Sequence, residues 1–416
     1  MKSETNPNAL LLAIGYAAEG FRVQYGAIRC ASMAGLNIYV LGTPEAAVLR
    51  YSRYCQAFTE LKGWQGRLED QVELIETSIN KAVSDHGIDI ILPADRDSTC
   101  ALGMLKERLG ISVFPVPANA SFKRIDDKWT FRDLCMELGV PTPRSWLFET
   151  KEDLLAASRG GDIPEQLIVK PTRLSGQRGV MKVGHNDLEA QLRKVDYVPI
   201  LLQEFIDGVD YHCTIVAMDG RSLGKLTYVD RPEAKYFGCD ADILLEAEKI
   251  VNRLKLNGIL NFDTRRTATG EIYFLECNPR PFMSMQMCAQ AGINCIEIGM
   301  HAIEGGSDTP IVMKTKSIRK WRGMIREGFL PWKLSKDDWR KIKDTVLDPV
   351  QMLYEISEFA NRKLLSNIPL AGLRRALRSG TDSFLGFAAS GVRELSRLRR
   401  QKSPAGFEAP SEPSSQ

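Results

Sequence analysis

No C-x-x-C pair occurs anywhere in the chain, and its nine cysteines, at 30, 55, 100, 135, 213, 239, 277, 288 and 295, are odd in number and scattered. That excludes a disulfide framework and a paired-cysteine zinc site, and it points to a reducing, cytoplasmic compartment. No stretch approaches twenty apolar residues, and no basic segment followed by a short apolar core opens the chain. Neither a membrane-spanning helix nor a secretory leader is expected. The first loop, "GYAAEG" at 15–20, lacks G-x-G-x-x-G, and no helix carries G-K-[ST]. A dinucleotide fingerprint and a Walker loop are therefore both unsupported. There is no internal repeat, and low complexity is confined to the terminal "GFEAPSEPSSQ", which reads as disordered.

What is present is 416 residues, 44% of them hydrophobic, enough for two or three domains with sizeable cores. Charge is unevenly placed. Residues 311–416 hold 21 Lys and Arg against 11 Asp and Glu, a net +10, whereas residues 1–310 hold 34 against 41, a net −7. The basic end is a separate electrostatic unit.

From Leu10 the pattern runs strand "LLLAIGY", helix "VQYGAIRCASMAG", strand "LNIYVLG", a helix over 70–86, strand "IDIILPAD", a helix to Gly110 and strand "ISVFPVP". Short apolar strands alternating with helices predict a parallel sheet covered on both faces. Ligands of such sheets bind at the strand carboxyl ends, here Gly15 to Gly20 and Asp95 to Asp97, although Asp95, Arg96 and Asp97 suit a solvated loop or helix cap as well. A second unit begins at "IDDKWTFRDLCMELGVPTPRSW". It continues through strand "QLIVKP", loop "TRLSGQRG", strand "VMKVG", a helix near 186–195, strands "PILLQEFIDG", "DYHCTIVAMDGR" and "SLGKLTYVDR", and a helix over 242–255.

The segments "GILNFDTRRTATGE" and "EIYFLECNPRP" read as a β-hairpin turning at Thr269 and Gly270. A two-residue loop sets Asp263 directly opposite Glu276, with Cβ atoms roughly 5 Å apart. Strand alternation puts Glu276, Asn278 and Arg280 on one face, Tyr273 and Leu275 on the other, and Cys277 in the core. Two carboxylates that close repel unless a cation lies between them, and a hard divalent ion with oxygen ligands suits Asp263, Glu276 and Asn278. Ion pairing of the same residues with Arg265, Arg266 or Arg280 is the plainer alternative.

In "IVKPTRLSGQRGV", Lys170 ends a buried strand just before a loop whose Gly176 and Gly179 let backbone N–H groups approach an anion. A plain hairpin has the same pattern. In "LLQEFIDGVD", the Glu204 carbonyl and Ile206 amide lie at the spacing of adenine's donor and acceptor. Gln203 is placed near the exocyclic amine and Asp210 near ribose hydroxyls, while a buried strand leading to a polar turn reads the same way.

The series "DDK" at 126–128, "VKP" at 169–171, "QEFIDGVD" at 203–210, Asp263 and "ECNPR" at 276–280 resembles the ATP-grasp superfamily, in particular its carboxylate–amine ligases and carbamoyl-phosphate-synthetase-like members. The resemblance covers residues 1–308. It implies an α/β chain: a Rossmann-like pre-ATP-grasp domain over 1–119, an α+β ATP-grasp domain over 120–308, and a mainly helical basic extension over 309–416. Lys128, Lys170, Gly176 and Gly179 would contact nucleotide phosphates, Gln203, Glu204, Phe205 and Ile206 would hold adenine, and Asp210 the ribose. Asp263, Glu276 and Asn278 would bind magnesium or manganese, and Arg280, with Lys170, would serve the transferred phosphoryl group. The loop has fewer glycines than many members, and Gln203 stands where an acid is common.

The implied reaction transfers the ATP γ-phosphoryl group to a carboxylate, and a small-molecule amine attacks the acyl phosphate. A carboxylase-like enzyme forming another acyl phosphate, or a non-catalytic nucleotide-binding protein, would share these residues. Arg265, Arg266, Ser284 and Gln286 are candidates for the acceptor side. Nucleic acid is not expected, because aromatics do not interleave with the basic residues. Residues 349–402 read as basic amphipathic helices suited to packing on the body, to homo-oligomer contacts or to peripheral contact with an anionic membrane.

Overall fold

The computed structural model describes residues 6–15, 20–160, 163–173, 178–305, 313–326 and 331–359. Residues 1–355 form one compact unit and 356–416 a second. Of the helices expected over 349–402, Pro349–Phe359 is described, and the remainder lies outside the described residues.

The chain begins with β1 (Asn8–Ala13), β2 (Asn37–Gly42), β3 (Cys55–Glu60), β4 (Ile90–Pro93) and β5 (Ser112–Val113). They form a parallel sheet in the order β3-β2-β1-β4-β5. The run of apolar residues in β1 is explained by burial on both faces. Leu11 packs with Ile28 of helix Gly20–Met33, while Leu10 and Leu12 pack with Ile75 and Ile79 of helix Val72–His86 on the other side. The edge strand β3 was not legible, since "CQAFTE" is half-buried to exposed and carries no apolar run.

Farther along the same unit come β6 (Ser145–Phe148), β7 (Gln166–Pro171), β8 (Met181–Gly184) and β9 (Ile200–Glu204), an antiparallel sheet in the order β6-β9-β7-β8. It has its own core, built on Leu154, Leu167, Val169, Leu188 and Leu202. Then come β10 (Val209–Met218), β11 (Arg221–Asp230), β12 (Ala234–Gly238), β13 (Gly258–Arg266), β14 (Ile272–Asn278) and β15 (Ser317–Arg319), in a sheet ordered β14-β13-β10-β11-β12-β15. One face of this larger sheet packs on helices Lys128–Leu138 and Ala241–Arg253 through Phe131, Leu134, Ile243 and Ile250. Val216, Leu226 and Ile259 of its other face share a core with β1, β2 and helix Gly20–Met33, and Tyr354 of helix Pro349–Phe359 joins them. The parallel sheet and the larger sheet are thus held by common apolar burial, which the small sheet does not share.

At the carboxyl end of β1, Asp95 settles the choice between loop and cap. It begins helix Arg96–Leu105 in a capping box with Ser98, and it accepts from Gly15 N (2.8 Å) and Gln24 Nε2 (2.7 Å). Gly15 is required there, since a Cβ would lie 2.7 Å from Asp95 Cγ.

Candidate active site

The β13–β14 hairpin differs from the expected two-residue turn. Thr267 N donates to Glu271 O (2.9 Å), leaving Ala268, Thr269 and Gly270 as a three-residue loop with Gly270 at φ +95°. An odd loop alone would bring Leu275 opposite Asp263. Instead a β-bulge between Asp263 and Thr264 absorbs Leu275 as an extra residue and restores the pairs Asn261↔Asn278, Phe262↔Cys277 and Asp263↔Glu276. Phe274 and Cys277, three residues apart rather than two, consequently both enter the core. Asp263, Glu276 and Asn278 share the opposite face, as expected, but through a bulge the sequence did not reveal.

Each acid meets a side chain able to donate or carry positive charge. Glu276 Oε2 lies 3.3 Å from Lys128 Nζ. Asp263 Oδ1 is 2.7 Å from His212 Nδ1 and accepts from Asn261 Nδ2 (3.3 Å). Asn278 Oδ1 accepts from Arg280 Nη2 (2.9 Å). Burial opposes ionisation of Glu276, yet Lys128 and Lys170 outweigh it and hold the carboxyl at about 2. Burial raises Asp263 against the pull of His212, and Glu276 adds to the rise. The two carboxyls approach closely enough to hydrogen-bond each other. Such a pair needs either a shared proton or a cation.

Lys128 is set by Asp127, which caps helix Lys128–Leu138 by accepting from the backbone N–H groups of Trp129 and Thr130. Lys170, 5% exposed at the end of β7, donates to Gln203 Oε1 (2.9 Å), and Gln203 Nε2 donates to Ser145 Oγ (3.1 Å). Burial pushes the Lys170 ammonium down to about 8, with Glu276 opposing the fall and Lys128 adding to it. Gly179 is at φ +70°, where a Cβ would meet the Tyr197 ring at 2.7 Å. Gly176 lies outside the described residues.

Arg265, a candidate for the acceptor side, buttresses the chain after β9. It bonds Asp210 Oδ1 (2.7 Å) and the Ile206 carbonyl (2.9 Å), and its guanidinium lies 5.4 Å from the Phe205 ring centre. Arg266 is bound to Asp240, a helix cap. Glu204 pairs with Arg144 (3.0 Å). Arg280 Nε is a buried donor without an acceptor, and Gln286 Oε1 a buried acceptor without a donor, among the described residues.

The structure therefore gathers Lys128, Lys170, Gln203, Asn278 and Arg280 around Asp263 and Glu276. Asp210 stays at the exposed margin with Arg265. Sequence reasoning missed His212, Asn261 and Tyr228, whose ring stacks on His212 with centroids 4.6 Å apart. His212 does follow Asp210 at strand period, so it belonged to the same face; its partner, 51 residues away, depends on β10 lying beside β13.

Among the described residues no group of three or more His, Cys, Asp or Glu side chains gathers to hold a metal. The donor set here is two carboxylates and an amide oxygen. That set fits a hard divalent cation whose remaining ligands are water and phosphate oxygens.

Residues 196–322 match the family model "ATP-grasp in the biosynthetic pathway with Ter operon". The arginine-specific carbamoyl phosphate synthase large chain of Bacillus subtilis is 26% identical over 227 residues, which are 48% of this chain and 21% of that one. A D-alanine–D-alanine ligase of Stutzerimonas stutzeri is 26% identical over 181 residues, 38% of this chain and 56% of the relative. This chain thus spans only about a fifth of the synthase. An L-amino acid ligase structure from Bacillus licheniformis superposes with a TM-score of 0.57 at 16% identity, over 75% of this chain and 78% of that one. That likeness establishes a shared fold.

Proposed function

We propose that this chain, which carries an ATP-grasp domain homologous to those of carbamoyl phosphate synthase and D-alanine–D-alanine ligase, is an ADP-forming ligase joining a small-molecule carboxylate to an amine. The observation that carries the reading is the Asp263–Glu276 pair, with Asn278 on the same face and Lys128, Lys170 and Arg280 around it. Phosphoryl transfer needs positioning and charge neutralisation more than covalent chemistry, and this site supplies both without a nucleophile.

In this reading Lys128 and Lys170 contact phosphate oxygens, and residues 203–206 face adenine. Asp210 is directed to ribose, at the cost of its bond to Arg265. The ammonium of Lys170, already desolvated, gives a phosphate a charge with little water left to remove. Asp263, Glu276 and Asn278 would hold magnesium or manganese, which would neutralise the phosphates when bound. The unpaired Arg280 Nε and Gln286 Oε1 support a polar ligand beside β14, because buried donors and acceptors are nearly always matched. The carboxylate or acyl phosphate is placed at Arg280. Residues 1–119, 120–308 and 309–416 are read as pre-ATP-grasp, ATP-grasp and C-terminal segments, and nine unpaired cysteines support a cytoplasmic protein.

The test is ADP release by the full chain over a panel of amino acids, carboxylic acids and bicarbonate, each with and without amine, alongside calorimetric ATP binding. Amine-dependent ADP release with an amide product supports the ligase. ADP release with bicarbonate alone replaces it with the carboxylase-like alternative, and tight binding without turnover replaces it with a nucleotide sensor.

A further inference from the structure

Helix Lys336–Leu347 has its polarity reversed. Its buried side chains are Asp338, Lys341, Asp344 and Thr345. Asp338 completes a capping box with Ser335 and pairs with Arg319. Asp344 binds Arg29 (2.6 Å) and Arg53 (2.9 Å), and Lys341 lies 3.3 Å from Glu355. Just beyond the helix, fully buried Asp348 accepts from Ser52 Oγ (2.7 Å) and Tyr25 Oη (3.2 Å). The helix is thus fastened to the body by its charges.

Three of its four large apolar side chains point outward, and Ile342 is half-buried. Trp339 is 50% exposed, Val346 67% and Leu347 48%, and Trp332, four residues before the helix, is 78% exposed. Trp339, Lys343 and Val346 stand four and three residues apart and so line one side, with Lys336, Arg340 and Leu347 next to them. With Lys333, this exposed surface carries four cations against one acid, Asp337, which Arg340 binds (3.1 Å).

Four exposed large apolar side chains within sixteen residues mark an interaction surface. Its charge narrows the partner. Residues 360–416 carry ten Lys and Arg against four Asp and Glu, so their composition does not supply the negative charge that would complement this face. A second copy would bring the same positive face. We propose that the Trp332–Leu347 face docks peripherally on an anionic lipid bilayer, with tryptophan and valine entering the interface and the four cations meeting headgroups. Tryptophan is suited to that boundary, and long basic side chains can lie across apolar surface while their charges stay wet. No described helix is long and apolar enough to cross a membrane. The inference does not depend on the ligase reading, because no residue of this face belongs to the candidate site.

The experiment is flotation of the full chain with phosphatidylglycerol-containing vesicles and with pure phosphatidylcholine vesicles at low and high salt. The double variant Trp339→Glu/Val346→Glu is run beside the parent, as is Lys336→Glu/Lys343→Glu. The expected result is binding to the anionic vesicles that weakens with salt and falls about tenfold or more in each variant, with thermal unfolding unchanged. Equal flotation of parent and variants would overturn the proposal by assigning the binding to another surface. Absence of flotation, with sedimentation velocity showing self-association that Trp339→Glu/Val346→Glu removes, would replace the bilayer with a second copy of the chain.

Discussion

Two helices of nearly equal length, Lys128–Leu138 and Lys336–Leu347, solve the problem of attachment in opposite ways. The first buries Phe131, Leu134 and Cys135 against the larger sheet and has Lys128 at its start, beside Glu276. The second buries Asp338, Lys341 and Asp344 against arginines and a glutamate, and shows Trp339 and Val346 to water. Apolar burial is non-directional, so the first helix needs only a stripe of suitable volume. Ion pairs require particular partners at particular distances, so the second helix is fixed in rotation and its apolar face is kept for something else. A helical stripe read from sequence says which residues are apolar, and not which side faces in.

Four changes break or sharpen that contrast. The largest effect is expected from Glu276→Ala, which removes the partner of Lys128. Turnover should fall by about a thousandfold or more, roughly 4 kcal/mol, while the melting temperature falls only modestly, because loss of the Lys128 pairing is offset by relief of the repulsion with Asp263; full ADP release from a folded variant would remove the site assignment. Next is Asp344→Ala, which strands Arg29 and Arg53. Loss of one partner from a largely buried pair should destabilise by about 3–5 kcal/mol in denaturant titration, and a loss below about 1 kcal/mol would mean that the reversed helix is not held by its charges.

Leu134→Ala, a cavity in the conventional helix, should cost about 2–5 kcal/mol with Lys128 still in place. Differential scanning calorimetry of this variant beside Asp344→Ala would show whether the two modes of attachment are comparable in strength. Smallest is Trp339→Ala, expected within about 0.5 kcal/mol of the parent because the ring is half in water. A markedly lower melting temperature would show that Trp339 supports the fold.

The parallel sheet was the most legible part of the molecule, because β1, β2 and β4 are buried on both faces and leave unbroken apolar runs. β3 left none, lying at the edge. Asp263 and Glu276 were legible because twelve residues separate them, an even number that a regular two-residue hairpin and a three-residue loop with one bulge satisfy equally. For the same reason the bulge at Leu275 could not be read. His212 was invisible as a partner of Asp263, since nothing local reports that two strands so distant in the chain are neighbours. The pairing of Arg266 with Asp240, 26 residues before it, was likewise not legible, since nothing local reports it.

The separate core of the small sheet determines which distances in the site are stiff. Lys128, Asp263 and Glu276 ride on helices and strands packed around one apolar cluster, whereas Lys170 and Gln203 belong to another. Among the described residues, the links near this boundary include polar ones: Lys128 N donates to Thr172 O (3.0 Å), and Arg173 Nε to Asp127 (2.9 Å). The small sheet therefore has an apolar core that does not depend on its neighbours, and in amide hydrogen exchange it is expected to open as a unit of its own. The spacing of Lys128 to Glu276 is a fixed dimension of the molecule. The spacing of Lys170 to the same carboxylate is an adjustable one, and a nucleotide lying between them would set its value.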